Sequence, residues 1–149
     1  TIIVRLFNTV GPRQTGSYGM VVPRFVTQAL RGEAISIYGT GDQTRCFCSV
    51  FDVVRGIIAL CGEPSAFGRV FNLGGSEEVS IRALAERVVD LSGSSSSLEY
   101  IPYDVAYEEG FEDMERRVPD TTRAFETVGF EQTISLDEII DSVIIDQRG

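Results

Sequence analysis

Every basic side chain in this sequence is an arginine: the Lys+Arg total is 13, and the chain contains no lysine, histidine or tryptophan. That rules out Ser-His-Asp and Cys-His nucleophilic sites, Schiff-base and P-loop lysines, and histidine-ligated metal. Chemistry is left to carboxylates, hydroxyls, thiols and guanidinium groups. Guanidinium forks recognise phosphate through paired hydrogen bonds. Arg13, Arg45 and Arg117 each adjoin loops or turns, where binding groups gather. Three of them converging would hold a diphosphate, whereas any one alone reads first as a solvated surface residue. Arg45 is the one whose charge demands a partner, because it sits mid-strand after a Gly-rich turn and beside Cys46-Phe47-Cys48.

Other side chains fit the same chemistry. Asn8 follows an apolar strand and precedes a Gly-Pro loop, at the strand end where ligands bind in open α/β sheets. Its amide reads either as a donor to a sugar hydroxyl or phosphate, or as a turn-forming asparagine. Tyr38 ends a strand at a Gly-rich turn, and either stacks on a base or is a half-buried strand aromatic. Gly74-Gly75 follows a strand but is not G-x-G-x-x-G, so it is weak evidence for a phosphate loop. The three cysteines, Cys46, Cys48 and Cys61, fall short of a four-ligand zinc site without histidine. An odd count argues against a disulfide framework and for a reducing compartment; Cys46 and Cys48 read as small buried residues.

The elements that must position these groups alternate. Residues 2–8 read as a strand that starts at the first residue, which implies an upstream portion. Residues 10–16 read as a loop, and 20–31 as an amphipathic helix with Pro23 in its first turn and Gly32 past its end. Strands are expected at 35–38 and 44–50, separated by the Gly39-Thr40-Gly41-Asp42 turn. Asp52 is expected to cap a nearly apolar helix over 53–61, buried on more than one side. A strand over 69–73 leads to a helix capped by Ser80 and closed by Gly93, then to a strand over 98–101. Residues 103–119 read as irregular and acidic. Asp120 is expected to cap a short helix ended by Gly129, and Ser135-x-x-Glu138 has capping-box spacing. The class is therefore α/β. With 149 residues, 43% hydrophobic and 23% charged, the chain has the composition of a globular domain. Its net charge of −9 disfavours nucleic acid and anionic membrane as partners. Residues 1–10 carry no signal-peptide pattern and no apolar run spans a bilayer, so the expected location is cytoplasmic.

Taken together, these residues resemble a family. Arg5-Leu6-Phe7-Asn8-Thr9-Val10-Gly11-Pro12-Arg13 is similar to the R-x-F-N-x-Y-G-P-R segment of nucleotide-sugar epimerases and dehydratases, which are extended short-chain dehydrogenase/reductase enzymes. The family includes UDP-glucose 4-epimerases and UDP-glucuronate decarboxylases. Further matches follow in order: Val22-Pro23-Arg24-Phe25 at a helix start, Tyr38-Gly39 through Arg45-Cys46-Phe47 against Y-G-x-G-x-Q-x-R-x-F, Val50 to Val54 against V-x-D-V-V, Val70 to Gly74 against V-F-N-x-G, and Arg117 to Asp120 against R-x-P-D. The resemblance implies that Asn8 bonds the nucleotide sugar, that Met20 and Val21 offer backbone to the substrate, and that Tyr38 contacts the base. It also implies that Arg45 and Arg117 clamp the diphosphate, that Asp120 contacts a ribose or orients Arg117, and that Phe7 and Arg13 lie on the cofactor side. Val10 and Ser49 depart from the pattern, standing where Tyr or Phe and His are frequent.

The family binds NAD through an N-terminal Gly-rich turn and does its chemistry with a Ser/Thr, a Tyr and the Lys of Tyr-x-x-x-Lys. With no lysine, that motif is impossible here. The resemblance thus implies a single C-terminal substrate-binding portion over 1–149, inactive alone. It would comprise a small mixed lobe plus the last strands of a Rossmann-type sheet. NAD would be held through a missing N-terminal half. Strands 2–8 and 69–73 and the helix near 53–61 are then expected to expose an apolar face where that half docks, and to drive self-association. A complete non-catalytic nucleotide-sugar-binding or assembly module is the alternative. A purely structural domain is a third reading, in which Arg45 and Arg117 have no role.

Overall fold

The computed structural model describes residues 1–16, 20–102 and 114–149. It holds nine strands and five α-helices among those residues: β1 Ile3–Leu6, β2 Thr9–Val10, α1 Val21–Leu30, β3 Ile35–Tyr38, β4 Thr44–Cys46, β5 Cys48–Ser49, α2 Val50–Cys61, β6 Val70–Leu73, β7 Glu78–Ser80, α3 Ile81–Ser92, β8 Leu98–Ile101, β9 Arg116–Arg117, α4 Thr122–Val128 and α5 Leu136–Arg148. The α/β class read from the sequence is what the chain adopts. Most of the acidic 103–119 stretch lies outside the described residues. The chain forms two compact units, one of residues 1–11, 46–78 and 118–139, the other of 12–45, 79–117 and 140–149.

The first unit is built on the parallel pair β1 and β6, with Ile3 opposite Val70 and Leu6 opposite Leu73. A second parallel pair joins β2 to β5, with Thr9 opposite Cys48. This short β2 ends one residue inside the expected loop, and the expected strand over 44–50 breaks into β4 and β5. The break has a cause in Asn8. Its backbone is in the left-handed region at φ 37. Its carbonyl accepts the Cys48 N–H, and its Nδ2 donates to the Cys46 carbonyl at 2.8 Å. The chain therefore turns after β1 and pairs anew. Asparagine tolerates that backbone better than other non-glycine residues.

Helix α2 begins earlier than expected. Ser49 is its N-cap, its hydroxyl accepting from the Phe51 N–H, and Asp52 lies inside the first turn. Asp52 is instead fully buried. It takes the backbone N–H groups of Thr133 and Ile134 at 3.0 and 3.1 Å and the Thr133 hydroxyl at 2.7 Å, and it pairs with Arg55. The helix is also less enclosed than its composition suggests. Val53 and Leu60 join a core with Cys48, Phe71, Leu73 and Phe130. Phe51, Val54 and Ile58 are exposed, Ile58 by 67%.

In the second unit, α1 buries Val22, Phe25, Val26 and Ala29, while Leu30, the last apolar position of the amphipathic pattern, is only half-buried. The strand β3 has Ile35 and Ile37 fully buried and pairs in parallel with β8, Ile35 opposite Leu98. Helix α3 is capped by Ser80, whose hydroxyl accepts the Ala83 N–H, and closes at Gly93 with φ 64. Both features match expectation. Back in the first unit, the capping box forms, with Ser135 N–H donating to Glu138 at 2.8 Å and Glu138 N–H to the Ser135 hydroxyl at 3.3 Å. The cap of α4 differs in detail. Thr121 occupies the N-cap position, while the Asp120 carboxylate accepts the Thr122 N–H at 3.0 Å.

Candidate functional site

Two of the predicted arginines meet in the second unit. Strands β4 and β9 run in parallel with Thr44 opposite Arg116 and Arg45 opposite Arg117. Residues directly opposite on neighbouring strands project from the same face, with strands about 4.8 Å apart. The register therefore starts both arginine side chains from the same face of the sheet. Arg45 is only 7% exposed, and its Nη1 donates to the Thr44 carbonyl at 2.7 Å. Such a pair of neighbouring cations favours an anion with several oxygens. The turn that delivers Arg45 depends on glycine: Gly41 has φ 77, and a Cβ there would stand 3.0 Å from Ile37 and 3.2 Å from Arg82 Cβ.

Tyr38 ends β3 and is half-buried. Its carbonyl accepts from Gln43 Nε2 at 3.0 Å, and the Arg24 guanidinium lies over its ring at 4.3 Å. Met20 precedes α1 as its N-cap, and its carbonyl accepts the Arg24 N–H at 3.3 Å, so Met20 and Val21 form a fixed backbone corner. Arg13 is exposed. Its backbone sits at φ 64 and donates to the Asp146 carboxylate at 2.7 Å.

Phe7, Asn8 and Asp120 belong to the first unit. Phe7 and Pro119 close on Gly74, where a Cβ would come within 2.8 Å of Phe7 Cβ and 2.7 Å of Pro119 Cγ. A Cβ on Gly75 would strike the Phe47 carbonyl and stand 2.6 Å from Gln132 Oε1. The two glycines thus serve close packing rather than a phosphate loop. Asp120 follows directly. Its backbone carbonyl accepts Asn72 Nδ2 at 2.9 Å, and hydrogen bonding from Thr122 holds its carboxyl below the usual range. Asn8 spends its amide nitrogen on Cys46, as described above. The cysteines are free thiols, with Cys46 and Cys48 buried as expected, and burial beside Asp52 pushes the Cys48 thiol up to about 12.

Sequence reasoning missed Arg24, Gln43 and Asn72. Arg24 and Gln43 stood inside matched motifs, yet a charged residue in a helix's first turn reads as solvent-facing, and a turn glutamine reads as polar filler. Their contacts with Tyr38 appear only once α1, β3 and the turn after it are folded.

The NAD-dependent epimerase/dehydratase family model matches residues 1–74. A UDP-N-acetyl-alpha-D-glucosaminuronate decarboxylase of Bacillus cytotoxicus is 38% identical over 143 residues, covering 95% of this chain and 44% of that protein. The chain belongs to the NAD-dependent epimerase/dehydratase family. Its fold agrees with solved members. The UDP-glucuronic acid 4-epimerase of Bacillus cereus, solved with UDP-glucuronic acid and NAD, superposes with a TM-score of 0.86 at 25% identity over 99% of this chain. The UDP-glucose 4-epimerase of Thermotoga maritima, solved with UDP-glucose, gives 0.85 at 30% identity over 97%. This chain spans 45% of each of those structures.

Family members use NAD. The residues described here do not by themselves fit a dinucleotide. The corner at Phe7 is filled by Pro119 against Gly74. Arg13 commits its backbone N–H to Asp146. The sequence offers no G-x-G-x-x-G turn to cradle a pyrophosphate.

Proposed function

We propose that this chain binds the nucleoside-diphosphate moiety of a nucleotide sugar, with a UDP-sugar favoured, as the substrate-binding part of an NAD-dependent epimerase, dehydratase or decarboxylase. The observation that carries the proposal is the β4–β9 register, which sets Arg45 opposite Arg117. In this reading the two arginines clamp the diphosphate and Tyr38 meets the base. Met20 and Val21 offer backbone, Asn8 is assigned to the sugar, and Asp120 to a ribose or to orienting Arg117. Phe7 and Arg13 border NAD, which is held by a Gly-rich turn this chain does not contain. UDP-sugars are the named substrates or ligands of the relatives above, and that supports UDP over other nucleotides. The chain alone has no lysine, so it lacks the proton relay of the family and turns over no UDP-sugar.

Calorimetric titration with UDP and uridine tests this. The wild-type chain is expected to bind UDP and not uridine. Arg45→Glu is expected to weaken UDP by about 100-fold, the equivalent of ~2.7 kcal/mol lost from charge-assisted bonds, with the helical circular dichroism retained. Unchanged UDP binding in a folded Arg45→Glu protein contradicts the proposal.

A further inference from the structure

We infer that Arg24 is a positioning residue for nucleobase recognition, acting through Tyr38; the inference rests on the nucleotide-sugar reading above. Arg24 lies in the first turn of α1, where a charged side chain ordinarily turns to water. Here it folds back over β3. Its guanidinium carbon sits 4.3 Å above the centre of the Tyr38 ring and 5.4 Å from that of Phe25. Its Nη2 donates to the Ser36 carbonyl at 3.1 Å, so the fork is pinned to the same strand that carries the ring. That strand is fixed in turn, with Gln28 donating to the Ser36 hydroxyl at 3.0 Å and accepting its N–H at 3.2 Å. The backbone that carries the ring is held as well, with Gln43 Nε2 donating to the Tyr38 carbonyl at 3.0 Å.

The arrangement is costly as mere scaffolding. Arg24 Nε is buried and meets no acceptor among the described residues. A buried unsatisfied donor works against stability, and each such group in a folded protein calls for a reason. An apolar residue in place of Arg24 would cover the ring without that cost. What the guanidinium adds is orientation: a planar cation stacked on an aromatic face fixes the ring plane and strengthens the ring as a platform. A tyrosine held in plane pays less entropy when a base stacks on it. Arg24 therefore contributes to base affinity and not to diphosphate affinity.

The test separates the two halves of the ligand. UDP and inorganic diphosphate are titrated into the wild-type chain, Arg24→Gln, Arg24→Lys, Tyr38→Ala and the Arg24→Gln/Tyr38→Ala double variant. Arg24→Gln is expected to weaken UDP by about 10-fold and leave inorganic diphosphate within about two-fold, with Arg24→Lys intermediate. In the double variant, the loss is expected to equal that of Tyr38→Ala alone, because Arg24 has no ring left to orient. UDP binding unchanged in Arg24→Gln, losses that multiply in the double variant, or equal weakening of UDP and diphosphate each overturn the inference. A wild-type chain that binds neither ligand overturns the nucleotide-sugar reading and this inference together. UDP binding that survives Arg24→Gln overturns this inference alone.

Discussion

Asp52 shows how much a single residue can carry away from the site. Burial raises the cost of its charge. The hydroxyl and N–H of Thr133, the N–H of Ile134 and the Arg55 guanidinium outweigh that cost and hold its carboxyl below the ordinary 3.8. The folded protein therefore takes up this proton at lower pH than the unfolded chain. The stability it contributes is present in full above the unfolded value and is lost as pH falls through the folded one. Asp52→Ala leaves three donors without an acceptor and is expected to cost about 3 kcal/mol at neutral pH, read by urea unfolding. It should also flatten the fall in stability below about pH 4. A variant as stable as wild type, with the same acid limb, contradicts this account. The aspartate was visible in the sequence as a residue at a helix start. Its partner was not, because Thr133 lies 81 residues along the chain. The arginines of the site were legible for the opposite reason. A chain without lysine that keeps arginine at Gly-rich turns advertises anion chemistry at the level of residue type.

At the scale of elements, what was legible was local. The Ser80 cap, the Gly93 stop, the Ile35–Tyr38 strand and the Ser135–Glu138 box depend on side chains within four residues of each other. Ser80→Ala should cost about 1 kcal/mol by removing the acceptor for the Ala83 N–H, with Ser80→Asp restoring most of it. Thermal unfolding by circular dichroism checks this, and no change in the alanine variant contradicts it. What was not legible was pairing. The β2 and β5 strands have two residues each, too short for any alternation to register. They exist because Asn8 reaches the backbone around Cys46 and Cys48. Likewise, the start of α2 moved to Ser49 because a serine hydroxyl was free to cap, while Asp52 was claimed by a distant loop.

For the whole molecule, the exposed apolar side chains matter most. Ile3 and Leu6 on β1 are each 53% exposed, and Phe51, Val54 and Ile58 line an open side of α2. Such a face favours contact with another apolar surface. We expect sedimentation velocity to show concentration-dependent association of the chain, and Ile58→Glu to reduce it without lowering the unfolding temperature. Concentration-independent monomers in the wild type contradict that expectation. Among the described residues no helix is long and apolar enough to cross a membrane, so α2 is not accounted for in that way. The central claim remains the arginine pair. Its most direct test is calorimetric titration of UDP into the wild-type chain, Arg45→Gln and Arg117→Gln, neutral replacements that remove each fork without reversing its charge. If the two rise from one face onto one diphosphate, each variant loses at least ~10-fold in affinity and by similar factors. If either binds UDP as the wild type does, the two arginines do not form a clamp.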